Sequence, residues 1–149
     1  MTEIRFYHLK RKSLDQALPE ILEKALERGY KAVIKHKDES ALKQLNDTLW
    51  TFRPNSFIPH GMKPDQYAEN QPVWLTTEDE TPNDADLLVV TGGAEPHDLS
   101  KFKLCVEFLE DHDQDAIKAS RQRWKSYKDD GLEISYWEQT AEGRWSQKA

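Results

Sequence analysis

The chain has almost no cysteine. Cys105 is the single one among 149 residues, which excludes an internal disulfide and any zinc site built from several thiolates. It also has no long apolar run. No stretch approaches the roughly 20 residues needed to span a bilayer, and residues 1–9 carry charges where a secretory leader would carry an apolar core. Net positive charge is missing too. Lys and Arg total 21 against 27 Asp and Glu, a formal charge of −6, which ill suits a protein that grips nucleic acid by its phosphates. These absences point to a soluble, cytoplasmic protein with no membrane partner. What is present argues against disorder: five Trp, five Tyr and five Phe are enough aromatic surface to build a core. The length suits one domain covering residues 1–149.

Apolar spacing predicts the elements. A short buried strand lies over 4–9. After Ser13, a plausible N-cap, Leu14, Leu18, Ile21, Leu22 and Ala25 form one helical stripe; Pro19 places the start of the regular helix near Leu18, and Gly29 stops it. A second strand covers 31–36. Asp38 caps a second helix with an inward stripe of Ala41, Leu42, Leu45, Leu49 and Phe52. Strands follow at 72–76, at 86–91 (closed by Gly92-Gly93) and at 102–109. A long charged helix spans 113–130 and ends at Gly131. Alternation over 132–137 predicts an outer strand. Residues 139–149 read as a frayed tail or an edge hairpin, and the proline-bearing stretch 53–71 as a surface loop. Strand-helix alternation of this kind gives an α/β class: one three-layer domain with a mainly parallel sheet.

Chemistry is sparse. Thr91-Gly92-Gly93-Ala94 follows a good strand, but no Lys-Ser or Lys-Thr comes after it, and no G-x-G-x-x-G exists. It reads as a glycine turn and not a phosphate loop. None of His8, His36, His60, His97 and His112 is paired with another histidine at ligand spacing, and Asp111-His112-Asp113 reads as a solvated helix entrance. Cys105, between Leu104 and Val106, reads as an inert buried thiol. Glu78-Asp79-Glu80-Thr81 reads as a wet run bounding a loop. No catalytic, cofactor or metal constellation emerges. The enzyme alternative is a nucleotide- or small-molecule-dependent one using His8 or His60 as acid/base.

The helix at 113–130 stands out. On a 100° wheel, Ala116, Ile117, Ser120, Trp124 and Tyr127 share one sector, and Lys118, Arg121, Lys125 and Lys128 the next. Trp124 lies at the seam, beside Arg121 and Lys128. One reading is a solvated face whose cations offset the helix dipole. The other is a dock for an acidic peptide: Arg121 clamps a carboxylate, the lysines steer it and Trp124 walls an apolar pocket. A direct single-strand DNA dock stacking on Trp124 is a third, opposed by the net charge. Trp50 sits well off its helix's apolar stripe, and Phe57 follows in the loop. The pair reads equally as a core cover or as a partner patch.

Leu49-Trp50, Ser56-Phe57-Ile58-Pro59-His60, the block Arg121-Gln122-Arg123-Trp124-Lys125-Ser126-Tyr127 with Gly131, and the opening Phe6-Tyr7-His8-Leu9 resemble the chi subunit family of bacterial DNA polymerase III. The resemblance implies a Rossmann-like fold with no working nucleotide loop and a non-catalytic clamp-loader accessory subunit. It implies docking of the acidic C-terminal tail of single-stranded DNA-binding protein, a psi subunit as second partner, an iron–sulfur repair helicase in some members, and only indirect contact with DNA. By the resemblance, Arg121 matches the tail pocket's key arginine, Trp124 stands where a tyrosine is common, Lys125 is the family lysine, and Leu109 is an apolar pocket residue. Lys118 stands about one residue from another family lysine, and Lys128 extends the basic face. Trp50 and Phe57 match the aromatics that face psi or the helicase.

Overall fold

A computed structural model describes residues 2–10, 12–51, 60–63 and 67–149. In chain order the elements are β1 (Glu3–Leu9), α1 (Leu14–Glu27), β2 (Ala32–His36), α2 (Glu39–Thr51), β3 (Gly61–Met62), β4 (Val73–Thr76), β5 (Leu87–Thr91), β6 (Leu104–Glu110), α3 (Gln114–Asp129), β7 (Glu133–Gln139) and β8 (Trp145–Gln147). Among the described residues these strands form one eight-stranded sheet in the order β3-β4-β2-β5-β6-β1-β7-β8. Every pairing is parallel except β7 with β8. This is a mixed α/β arrangement with three helices on a mostly parallel sheet, consistent with a Rossmann-like fold.

Strand side chains alternate between the two faces. Tyr7, Leu9, Ile34, Leu75, Val89 and Val106 bury one face beneath α1 and α2, whose Leu18, Leu22, Leu42, Leu45 and Leu49 pack on it. Ile4, Phe6, Val33, Trp74, Leu88 and Leu109 bury the other, with Ile117 and Tyr127 of α3. Asp38 starts α2 as its residue type suggests: its carboxylate accepts from the backbone N–H of Ser40 at 3.1 Å. Phe52, at the end of the α2 stripe, lies outside the described residues.

Four expectations need correction. Helix α1 begins at Leu14, a full turn before Leu18, with Pro19 inside it. The first turn is held by the Ser13 N–H donating to Gln16 Oε1 at 3.0 Å and by burial of Leu14 and Ala17. Pro19 costs this helix the bond to one carbonyl, which that support absorbs. Second, the stretch 53–71 is not all loop: Gly61–Met62 adds to β4 as a parallel edge, and Ala68–Asn70 makes a 3-10 turn. Third, β7 is not the outer strand. Residues Trp145–Gln147 return antiparallel beside it, so the edge-hairpin form of the tail is the observed one. Fourth, the acidic run is not merely wet. Glu80 accepts from the Trp74 indole N–H at 2.9 Å and from the Thr76 hydroxyl at 2.7 Å, and Asp79 pairs with the buried Lys35 ammonium.

The glycine turn after β5 has a packing reason. Gly92 has φ +61°, and a Cβ there would lie 2.1 Å from His36 Nε2. The backbone must approach the His36 ring at that point, and glycine alone permits it.

Candidate functional site

Helix α3 is set by its ends and by its inner stripe. Asp113 caps it, accepting from the Ala116 N–H at 3.1 Å, and Asp115 and Lys128 complement the dipole at the first and last turns. Ile117, Ser120 and Tyr127 are buried, Trp124 is half-buried, and Lys118, Arg121, Lys125 and Lys128 are exposed, as the wheel predicts.

Between α3 and the sheet is a hollow of about 350 Å³, lined by Phe6, Leu109, Ile117, Ser120, Arg121, Trp124, Tyr136 and Ala149. Leu109, 5% exposed, and Ser120, 2% exposed, belong to its inner wall. Trp124 stands edge-on to Phe6, with ring centres 5.4 Å apart, and to Tyr136 at 6.4 Å. Such T-shaped contacts fix the indole in place without sealing it. Arg121 is exposed and makes no ion pair among the described residues. Its guanidinium is therefore available to a ligand.

The structure thus brings together three of the residues singled out above: Arg121, Trp124 and Leu109. Lys118, Lys125 and Lys128 project from the same helix but do not line the hollow. Phe6 and Tyr136 were missed by sequence reasoning. They are register partners on adjacent parallel strands, Phe6 opposite Tyr136, and register cannot be read from either strand alone. Ile117 and Ser120 were legible as part of the inward stripe.

Two polar networks stiffen the walls. Behind Tyr136, His8 Nδ1 lies 2.6 Å from the Tyr136 hydroxyl and Nε2 lies 2.9 Å from Asp111 Oδ1. A carboxylate only accepts, so in a neutral ring Nε2 donates to Asp111 and Nδ1 accepts the tyrosine proton. Burial, with the nearby Glu138 carboxylate, pushes the Tyr136 hydroxyl up to about 12, so this wall stays uncharged. Beneath α3, Arg123 donates from Nη2 at 2.6 Å and from Nε at 3.0 Å to Glu107 Oε1, and Nη2 also reaches the Ser120 hydroxyl at 3.1 Å. Glu107 is 1% exposed. Burial pushes its carboxyl above the ordinary value, an effect Arg123 partly offsets.

Trp50, 53% exposed, is turned away from the core, with its ring centre 4.6 Å from that of His60. Phe57, its expected companion, lies outside the described residues. His8 and His60 belong to opposite halves of the sheet, on β1 and just before β3, and line no common cavity among those described. Cys105 is fully buried and its thiol is pushed up by burial. Among the described residues no cluster of three or more His, Cys, Asp or Glu could hold a metal ion, and no helix is long and apolar enough to cross a membrane.

Comparison with known proteins decides the family. The family model for the DNA polymerase III chi subunit, HolC, matches residues 1–135. The chain belongs to the chi subunit family. A probable DNA polymerase III subunit chi from Rickettsia prowazekii (strain Madrid E) is 32% identical over 109 residues, 73% of this chain and 64% of that protein. The chain therefore spans somewhat less than two thirds of that relative's length. The DNA polymerase III subunit chi of Pseudomonas aeruginosa (strain PAO1) is 29% identical over 140 residues, 90% of this chain and 94% of its own. The chi model takes in the whole of α3 and ends within β7, so Trp137 and β8 lie beyond it. Both relatives are named as chi subunits of DNA polymerase III.

Proposed function

We propose that this chain is a non-catalytic accessory subunit of the DNA polymerase III holoenzyme that links the clamp loader to single-stranded DNA-binding protein. It does so by docking that protein's acidic C-terminal tail in the α3 hollow. The carrying observation is an exposed guanidinium, with no ion pair among the described residues, at the rim of an apolar hollow on a protein of net charge −6. Arg121 forms a bidentate pair with a carboxylate, which a lysine could not match in geometry. Phe6, Leu109 and Trp124 receive the tail's terminal phenylalanine ring. Lys118, Lys125 and Lys128 raise the encounter rate by attracting the acidic segment. The protein acts in the cytoplasm and meets DNA only through its partner. The Rossmann-like sheet serves as a scaffold, and the glycine turn after β5 admits the His36 ring.

The test is titration of the purified chain with a short acidic peptide ending in phenylalanine, with a free or an amidated terminal carboxylate. A micromolar affinity, about −8 kcal/mol, is expected for the free acid, with marked weakening by amidation and by salt. Arg121→Ala removes most of the binding and leaves the fold intact. Normal binding by that variant places the peptide elsewhere. Trp50, exposed near the edge formed by β3 and β4, supports a separate surface for a psi subunit or a repair helicase. Trp50→Ala therefore serves as the control that leaves peptide affinity unchanged.

A further inference from the structure

On the opposite face of the sheet from α3, a second hollow of about 290 Å³ opens between α1 and the β7–β8 hairpin. We infer that this groove is a second protein-docking site, which takes an acidic amphipathic segment of a partner. The floor is apolar sheet surface, with Leu104 and Val106 of β6 and Tyr7 of β1. Trp137 and Trp145 form one wall, both half-buried, with Trp145 held against Tyr7 at 4.6 Å between ring centres. Trp137 and β8 lie outside the part of the chain that the chi model matches.

Charge identifies the occupant. Three cations, Arg5, Lys24 and Arg28, line the groove against one carboxylate, Glu20. Glu20 is already paired with Lys12 at 3.3 Å. Arg5 has Glu3 as a partner, but Lys24 and Arg28 are exposed and make no ion pair among the described residues. A locally basic rim over an apolar floor, on an acidic protein, selects a ligand with carboxylates on one flank and aliphatic anchors on the other. The ring geometry favours a peptide over a nucleic acid strand. Tyr7 is stacked on Phe108 at 5.8 Å and hemmed by Trp137 at 6.1 Å and by Trp145, so it offers no open face for base stacking.

The experiment titrates the full chain with a synthetic helical peptide bearing leucines at i, i+3, i+4 and i+7 and glutamates on one flank, followed by calorimetry. A peptide of the same composition with scrambled order and an oligo-dT strand are the comparison ligands. The patterned peptide binds and the other two do not. Lys24→Glu combined with Arg28→Glu weakens binding by about tenfold or more, and Lys24→Gln with Arg28→Gln by less. Arg121→Ala has no effect, which separates this groove from the tail-docking hollow. The inference is overturned if the patterned peptide fails to bind, if charge reversal leaves its affinity unchanged, if Arg121→Ala abolishes it, or if oligo-dT binds more tightly than the peptide.

Discussion

Helix α3 and the acidic run at 78–80 carry charges of opposite sign and opposite availability. From sequence the run reads as solvated, and α3 as either a solvated face or a dock for an acidic peptide. In the structure the carboxylates of the run are occupied: Glu78 by Lys63, Asp79 by Lys35, Glu80 by Trp74 and Thr76. On α3, Arg121 and the three lysines are exposed and make no ion pair among the described residues, and Arg123 alone of its cations turns inward to Glu107. A charged group whose valences are met inside the molecule serves the fold. One left open beside an apolar hollow is free for a ligand. What separates the two is the supply of internal partners, not the density of charge.

Removing the one inward charge of α3 has the largest expected effect. Arg123→Met leaves Glu107 buried and unpaired, which costs about 3 kcal/mol at neutral pH. The cost shrinks on acidification, because Glu107, already raised by burial, escapes by taking up a proton. The double variant Glu107→Gln with Arg123→Met recovers much of the loss. Urea denaturation of the three proteins at pH 5 and pH 8 measures this. A single variant as stable as the parent at pH 8 would show that the pair does not anchor α3.

How much of this was readable in the sequence divides along a physical line. Properties set by local spacing were legible. The inward stripe Ile117, Ser120 and Tyr127, the exposed cations of α3, and the burial of Cys105 all follow from helical or strand periodicity. Properties set by which strands become neighbours were not. Phe6 meets Tyr136 because strands far apart in the chain become neighbours, and Glu107 meets Arg123 only through the way α3 packs back on β6. The start of α1 was misplaced because proline's penalty was weighed without the Ser13–Gln16 bond that offsets it. The edge strand β3 was missed because two residues carry no periodicity at all.

The outward lysines should have an intermediate effect, and on rate more than on fold. Lys125→Ala with Lys128→Ala slows association of the acidic peptide by a few-fold and flattens its salt dependence, while dissociation and thermal stability stay close to the parent's. Stopped-flow binding at two ionic strengths separates the two contributions. Neither lysine lines the hollow, so a faster dissociation rate as the main change would mean direct contact with the peptide and would place it further along α3 than proposed.

The smallest effect belongs to the acidic run and has its own pH signature. Burial pushes Glu80 up, but the bonds from Trp74 and Thr76 and the nearby Lys63 outweigh it, so its carboxyl lies below the ordinary value of 4.5. Between 4.5 and that lowered value the unfolded chain binds more protons than the folded one, so stability falls as the pH falls. The stabilisation is complete above the ordinary value and is lost as pH drops through the lowered one. Glu107, shifted the other way, contributes the reverse slope: stability falls as pH rises from 4.5 through its raised value. Glu80→Gln should therefore begin slightly less stable at pH 7 and lose less than the parent on going to pH 3.5. Glu107→Gln should instead change the slope above pH 4.5. Thermal melts across this range distinguish them. Parallel curves for Glu80→Gln and the parent would mean that the run is as wet as its sequence suggests, and the contrast with α3 would fail at that end.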